Sequence, residues 1–123
     1  MKYPEGYQAV MPYLLINGAL KFIDFAEKVF NAKLTLKMMR DEKLVQHAEI
    51  NISGSVIMLT DCTEKYTPHE ATLMIYVDNA DVTFKTAVEE GAKVITELSN
   101  QPYGRTGGVT DPFGITWWIT SII

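Results

Sequence analysis

Two short segments of this 123-residue chain recur at one spacing, and that recurrence limits the fold more than any other feature. Ile16-Asn-Gly-Ala19 is echoed by Val77-Asp-Asn-Ala80, and Asn31-Ala-Lys-Leu34 by Gly91-Ala-Lys-Val94. Both echoes fall after about 60 residues, roughly half the chain, so the sequence reads as two copies of one unit. In each copy a β-type run leads to a break, a helical stripe and then further β-type runs.

The first copy is expected to span about 8–61, after an arm at 1–7 punctuated by Pro4 and Gly6. A strand is predicted at about 8–16, with Pro12 marking an edge or bulge. Asn17-Gly18 breaks it, and Leu20, Ile23, Ala26 or Glu27, and Phe30 recur at helical spacing. Lys33 to Arg40 is a second strand, followed by the charged turn Asp41-Glu42-Lys43. Val45 to Asp61 then reads as a hairpin folded at Ser53-Gly54. A polar connection over 61–70 leads to the second copy, about 71–121. It has a strand over Ala71–Val77, capping chemistry at Asp78-Asn79, and a helical stripe at Ala80, Phe84, Ala87 and Val88 that Gly91 ends. Strands are predicted at about 93–98, 108–110 and Ile115–Thr120, with the glycine-rich stretch 103–108 as a loop and Asp111-Pro-Phe-Gly114 as a turn. One α+β domain covering 1–123 is the simplest expectation.

The hairpin has two chemically different faces. Folding Ile52 over Ser55 sets Asn51 opposite Val56, Glu49 opposite Met58 and His47 opposite Thr60. Directly opposed residues share a face, so one side carries these six. The other carries Ala48, Ile50, Ile52, Ile57 and Leu59 and is a core face. The polar side fits either the wall of a pocket or an ordinary solvated surface.

Composition narrows the function classes. A formal charge of −4 without a basic cluster disfavours nucleic acid or anionic membrane as partner. Cys62 is the one cysteine, which excludes an intramolecular disulfide and a thiolate metal cluster. No apolar run approaches the ~20 residues of a membrane helix. The polar opening Met1-Lys-Tyr-Pro-Glu-Gly has no leader pattern, so the expected address is the cytoplasm. Tyr103-Gly-Arg-Thr-Gly-Gly108 lacks the Lys-Ser/Thr ending and following helix of a phosphate loop.

A duplicated βαβββ unit with Asp111-Pro-Phe-Gly114 before the final strand resembles the glyoxalase/bleomycin-resistance/dioxygenase superfamily, also called vicinal oxygen chelate. Met11-Pro-Tyr-Leu14, His47-Ala-Glu49, Ser55-Val-Ile-Met-Leu59 and Gln101-Pro-Tyr-Gly104 are similar to its PhnB-like branch, whose members often carry a 3-demethylubiquinone methyltransferase-like label. The resemblance implies a curved mixed sheet forming a cup, with helices outside, a ligand inside and a homodimer. It also implies one metal ligand from the first and last strand of each unit. Carried onto this chain, those positions are Met11, Met58, Thr72 and Trp118, none of which suits a divalent ion that wants imidazole or carboxylate. No metal or other cofactor is therefore expected. The methyltransferase label is not supported either, because no glycine-rich turn follows a parallel strand.

With those positions facing inward, alternation places Tyr13, His47, Glu49, Met58, Met74, Tyr76 and Trp118 in the cup. His47 and Glu49 fit a general acid–base pair, an anchor for a ligand's polar end, or a structural bridge. Tyr13, Tyr76 and Trp118 suit stacking on a planar ligand or simple filling of the cup. Met58 and Met74 are adaptable fillers. Tyr103 and Arg105 are expected to lean over the mouth on a loop made mobile by Gly104, Gly107 and Gly108, although Pro102 and Arg105 depart from the branch pattern. The function expected first is metal-independent binding of a small organic molecule, of the sequestering kind. The alternatives are a lyase or isomerase of small oxygenated metabolites, using His47 and Glu49 or an irregular metal site, and a non-catalytic subunit acting through protein contacts.

Overall fold

The computed structural model describes residues 1–123. The chain divides into two compact units: Met1–Glu27 with Asn31–His69, and Lys28–Phe30 with Glu70–Ile123. Each holds a four-stranded mixed sheet, and neither sheet closes on itself.

The first unit contains β1 (Tyr13–Ile16), α1 (Ala19–Phe30, whose last turn groups with the second unit), β2 (Lys33–Met39), β3 (Val45–Ile52) and β4 (Ser55–Asp61). Its strand order is β1-β4-β3-β2, with β1 parallel to β4 and the other pairs antiparallel. The β3–β4 hairpin has the expected register, Asn51 opposite Val56 and Glu49 opposite Met58. Ser53 and Gly54 both have positive φ (50° and 93°), the primed turn that matches strand twist. Leu14, Ile16, Ala48, Ile50, Ile52, Ile57 and Leu59 form a buried apolar face.

The predicted strand at 8–16 is shorter than expected. Pro12 has no N–H to offer a ladder, and regular pairing begins only at Tyr13. Upstream, the chain still follows β4: Pro12 O accepts from Met58 N–H at 2.9 Å. The Gln8 side chain bonds both the carbonyl and the N–H of Val56, at 2.7 and 3.3 Å, in place of a strand partner. Val10, placed on the core face by alternation, is exposed instead.

The second unit contains β5 (Ala71–Tyr76), α2 (Ala80–Glu89), β6 (Lys93–Gln101), β7 (Gly104–Thr110) and β8 (Ile115–Ser121), ordered β5-β8-β7-β6. Again the first and last strands are parallel. Asn31 and Gly91, the matched residues of the repeat, both have positive φ after their helices. Asn79 caps α2 by accepting the Val82 N–H.

The glycine-rich stretch is not a loop. Gly104–Thr110 is an interior strand, and only Pro102-Tyr103 turns between β6 and β7. Its glycines admit close packing instead of mobility. A Cβ on Gly107 would lie 2.7 Å from the Phe84 ring, and one on Gly108 would lie 2.8 Å from the Trp118 ring.

Candidate functional site

Alternation gives each sheet a second face, and in the first unit that face is polar. Register sets Tyr13 and Glu49 beside Met58, Leu36 opposite Glu49, and Met38 opposite His47. Glu49 is only 5% exposed, and it has partners. Its Oε1 accepts the Tyr7 hydroxyl proton at 2.5 Å, and its Oε2 lies 2.7 Å from His47 Nε2. The other imidazole nitrogen, Nδ1, lies 3.0 Å from the Tyr13 hydroxyl. The result is a four-residue chain, Tyr7–Glu49–His47–Tyr13. The Tyr7 hydroxyl, with help from His47, holds the Glu49 carboxyl below the usual carboxylate range against the opposing effect of burial. The same bond to Glu49 pushes the Tyr7 phenol up.

In the second unit the matching face is aromatic. Met74, Tyr76, Tyr103, Thr106 and Trp118 line an open hollow of about 550 Å3. Trp118 lies across Gly108, where a larger residue would displace it. The Thr106 hydroxyl is buried and shares a 2.8 Å hydrogen bond with Thr120. Met74, Tyr76 and Tyr103 are each exposed, so the hollow is not filled by its own walls.

Arg105 does not belong to this hollow. It stands on the opposite face of β7, where it grips the Asp81 carboxylate of α2 through Nε and Nη2 at 2.8 and 3.0 Å. A third donor reaches Asn100. The fork holds the Asp81 carboxyl below its ordinary value. One residue of alternation separates Arg105 from Thr106, and that step decides the side.

Residues 13–119 match the Glyoxalase/Bleomycin resistance protein/Dioxygenase superfamily. The chain belongs to this superfamily. An uncharacterized protein of Mycobacterium bovis is 37% identical to it over 122 residues, covering 89% of this chain and 80% of that protein. Among solved structures, the PhnB protein of Bacillus cereus is similar in fold at TM-score 0.78, with 19% identity, covering 93% of this chain and 99% of its own. TnmS3, an antibiotic binding protein from Streptomyces sp. CB03234, is similar at TM-score 0.72 with 18% identity, covering 95% and 100%.

The positions at which the resemblance implies metal ligands carry thioether, hydroxyl and indole side chains. Met11 precedes β1, Met58 sits beside Tyr13, Thr72 pairs with Thr116, and Trp118 walls the hollow. No three His, Cys, Asp or Glu side chains cluster closely enough to hold an ion. Within the first unit the structure joins Tyr13, His47 and Glu49 with Met58 alongside; within the second it joins Tyr76, Tyr103 and Trp118. Cys62 is partly buried, and burial together with Asp61 pushes its thiol up, away from reactive thiolate.

Two participants were not singled out from the sequence. Tyr7 lies 42 residues from Glu49, with no local pattern to join them. Met74 and Tyr76 were placed by alternation, but Thr106 fell in the stretch read as a loop. Alternation from Gly108 and Thr110 back along β7 would have found it.

Proposed function

We propose that the protein binds a planar, largely apolar organic molecule against the uncovered face of β5, β8 and β7, without a metal ion. The hollow bounded by Met74, Tyr76, Tyr103 and Trp118 carries this reading: four largely apolar surfaces with the exposed tyrosines' hydroxyls as sparse polar points. Aromatic walls favour offset or edge-on contact with another ring. Similarity in fold to an antibiotic binding protein supports binding and sequestration as the purpose. The donor-poor residues at Met11, Met58, Thr72 and Trp118 support a metal-free mode.

Two further features belong to the same proposal. The protein acts as a homodimer, supported by exposed Leu36 and Met38 on the first sheet and Ile95 on the second. It works in the cytoplasm, supported by a single free cysteine and by the lack of any helix long and apolar enough to cross a membrane.

The test uses the two tryptophans, of which Trp117 is buried and Trp118 lines the hollow. A panel of anthraquinones and flavins is titrated while fluorescence and melting temperature are followed. The expected outcome is saturable quenching and a rise in melting temperature. Both are lost in Trp118→Ala and Tyr76→Ala and kept in His47→Ala. Binding that survives Trp118→Ala, or no response across the panel, refutes the assignment. The acid–base reading of His47 and Glu49 also retains support, from the bonded chain on the first sheet.

A further inference from the structure

We infer that Tyr13, His47 and Glu49 form a one-directional proton relay, anchored at Glu49 by Tyr7, that makes the Tyr13 hydroxyl a base-activated catalytic group for enolisable carbonyl compounds or phenols. The relay lies on the first sheet and the proposed binding hollow on the second, so each can fail without the other.

With the imidazole neutral, donor counting gives the direction of the bonds. An ionised carboxylate has acceptors only, so both Glu49 oxygens must receive protons. Oε1 takes one from the Tyr7 hydroxyl, and Oε2 takes one from His47 Nε2. A neutral imidazole with its proton on Nε2 presents Nδ1 as an acceptor. In that form the Tyr13 hydroxyl, 3.0 Å from Nδ1, is the donor. Hydrogen bonds therefore run from Tyr13 to His47 to Glu49, with Tyr7 closing the far end.

Exposure is graded along the same line. Glu49 is 5% exposed, the His47 side chain 21%, and Tyr13 47%. A bridge made only for stability has no need of a half-exposed terminal hydroxyl whose partner is an oriented base. A buried carboxylate that orients an imidazole, which in turn faces an accessible hydroxyl, is the division of labour in nucleophile–base–acid triads. Tyr7 adds one feature. By stabilising the Glu49 anion it makes the carboxylate a poor base, so a proton arriving at His47 stays on the imidazole.

The step needs no co-reactant. The substrate's acidic proton passes to the Tyr13 oxygen while the Tyr13 hydroxyl proton passes to His47 Nδ1. The substrate is left as an enolate or phenolate beside an imidazolium that Glu49 stabilises. Reversal returns the proton, at the same atom or at another, and the second case is an isomerisation.

The experiment uses phenylmethanesulfonyl fluoride on the intact protein, with labelling rates resolved by peptide mass spectrometry. At an activated tyrosine the O–S bond forms, the S–F bond breaks, fluoride leaves and the hydroxyl proton goes to the base. Tyr3 and Tyr66 are exposed in the same chain, outside the hollow, and serve as internal references. Tyr13 is expected to label about tenfold faster than either of them. His47→Ala should bring it down to their rate, and Glu49→Gln should remove most of the advantage. A Tyr13 rate equal to the references, or one unchanged in His47→Ala, overturns the relay. Should Glu49→Gln fail to fold, ¹⁵N NMR of the wild-type protein decides the point, because His47 and His69 are its two histidines. The Nε2–H tautomer at His47 is expected, and an Nδ1–H tautomer overturns the assignment.

Discussion

The two units thread one βαβββ path, ordered β1-β4-β3-β2 and β5-β8-β7-β6, yet they present opposite uncovered faces. The first is polar and bonded, with Tyr7 of the N-terminal arm reaching Glu49 on it. The second is aromatic and open, with no such arm. What the repeat keeps is scaffold: a parallel edge pair, a left-handed residue after each helix, and a final strand that reaches the helix start. What it leaves free is the face that no scaffold contact fixes. Chemistry could therefore diverge between the copies without disturbing the fold.

Even the shared scaffold is built with unequal strength, and the helix starts show it. Asp61, at the end of β4, accepts three backbone N–H groups: Gly18 and Ala19 on Oδ1 at 3.0 and 2.9 Å, and Val45 on Oδ2 at 2.7 Å. Gly18, at the α1 N-cap, has no side chain to do this. At the matching place in the second unit, Ser121 accepts one N–H, from Ala80 at 3.1 Å, while Asn79 supplies a second cap. Asp61→Ala is expected to have the largest effect, about 3–5 kcal/mol, because three donors lose their acceptor in or near the core. Ser121→Ala should cost about 1 kcal/mol. Urea unfolding of both variants checks the ratio, and equal losses would break the asymmetry between the copies.

A second contrast lies in backbone approach. Gly107 has no counterpart in the first unit: β3 and β4 carry Ala48, Ile50, Ile57 and Leu59 on their buried face. In the second, α2 packs on β7 closely enough that a Cβ at Gly107 meets two Phe84 ring carbons and Leu98. Gly107→Ala should destabilise by about 1–3 kcal/mol through displacement of that ring. Phe84→Leu in the same chain should recover part of the loss. Independent, additive effects would show that the ring is not what the glycine accommodates.

The same contrasts mark where sequence reading succeeds. The β3–β4 register was legible because alternation and the Ser53-Gly54 turn constrain each other. The repeat was legible because Asn31 and Gly91 hold one backbone role at matched positions. The site was legible only in part. His47 and Glu49 stand two apart on one strand, which alternation reads directly. Tyr7 reaches Glu49 from an arm that has no periodicity at all. Gly107 and Gly108 were taken as marks of a loop, since glycine breaks strands in general. Their other use, admitting a ring against the backbone, depends on Phe84 and Trp118 across the packing, which local pattern does not reveal. Arg105 followed them onto the wrong side for the same reason.

A final variant tests what the arm contributes to the polar face. Tyr7→Phe removes one hydrogen bond to a carboxylate and should lower stability at neutral pH. Its sign with pH follows from Glu49. The folded carboxyl titrates below its unfolded value, which is near ~4.3. The stabilisation is therefore complete above that range and is lost as pH falls through the lower folded value. The Tyr7 bond is the largest cause of the lowering, so Tyr7→Phe should shift this loss to higher pH. Wild type and variant should differ most at neutral pH and converge once Glu49 is protonated in both. Urea midpoints followed from pH 7 down through the acid range measure the gap. A gap that stays constant would mean that the Tyr7 ring, through packing, holds the arm down. The polar face would then differ from the aromatic one only in its residues, and the arm would not contribute to its chemistry.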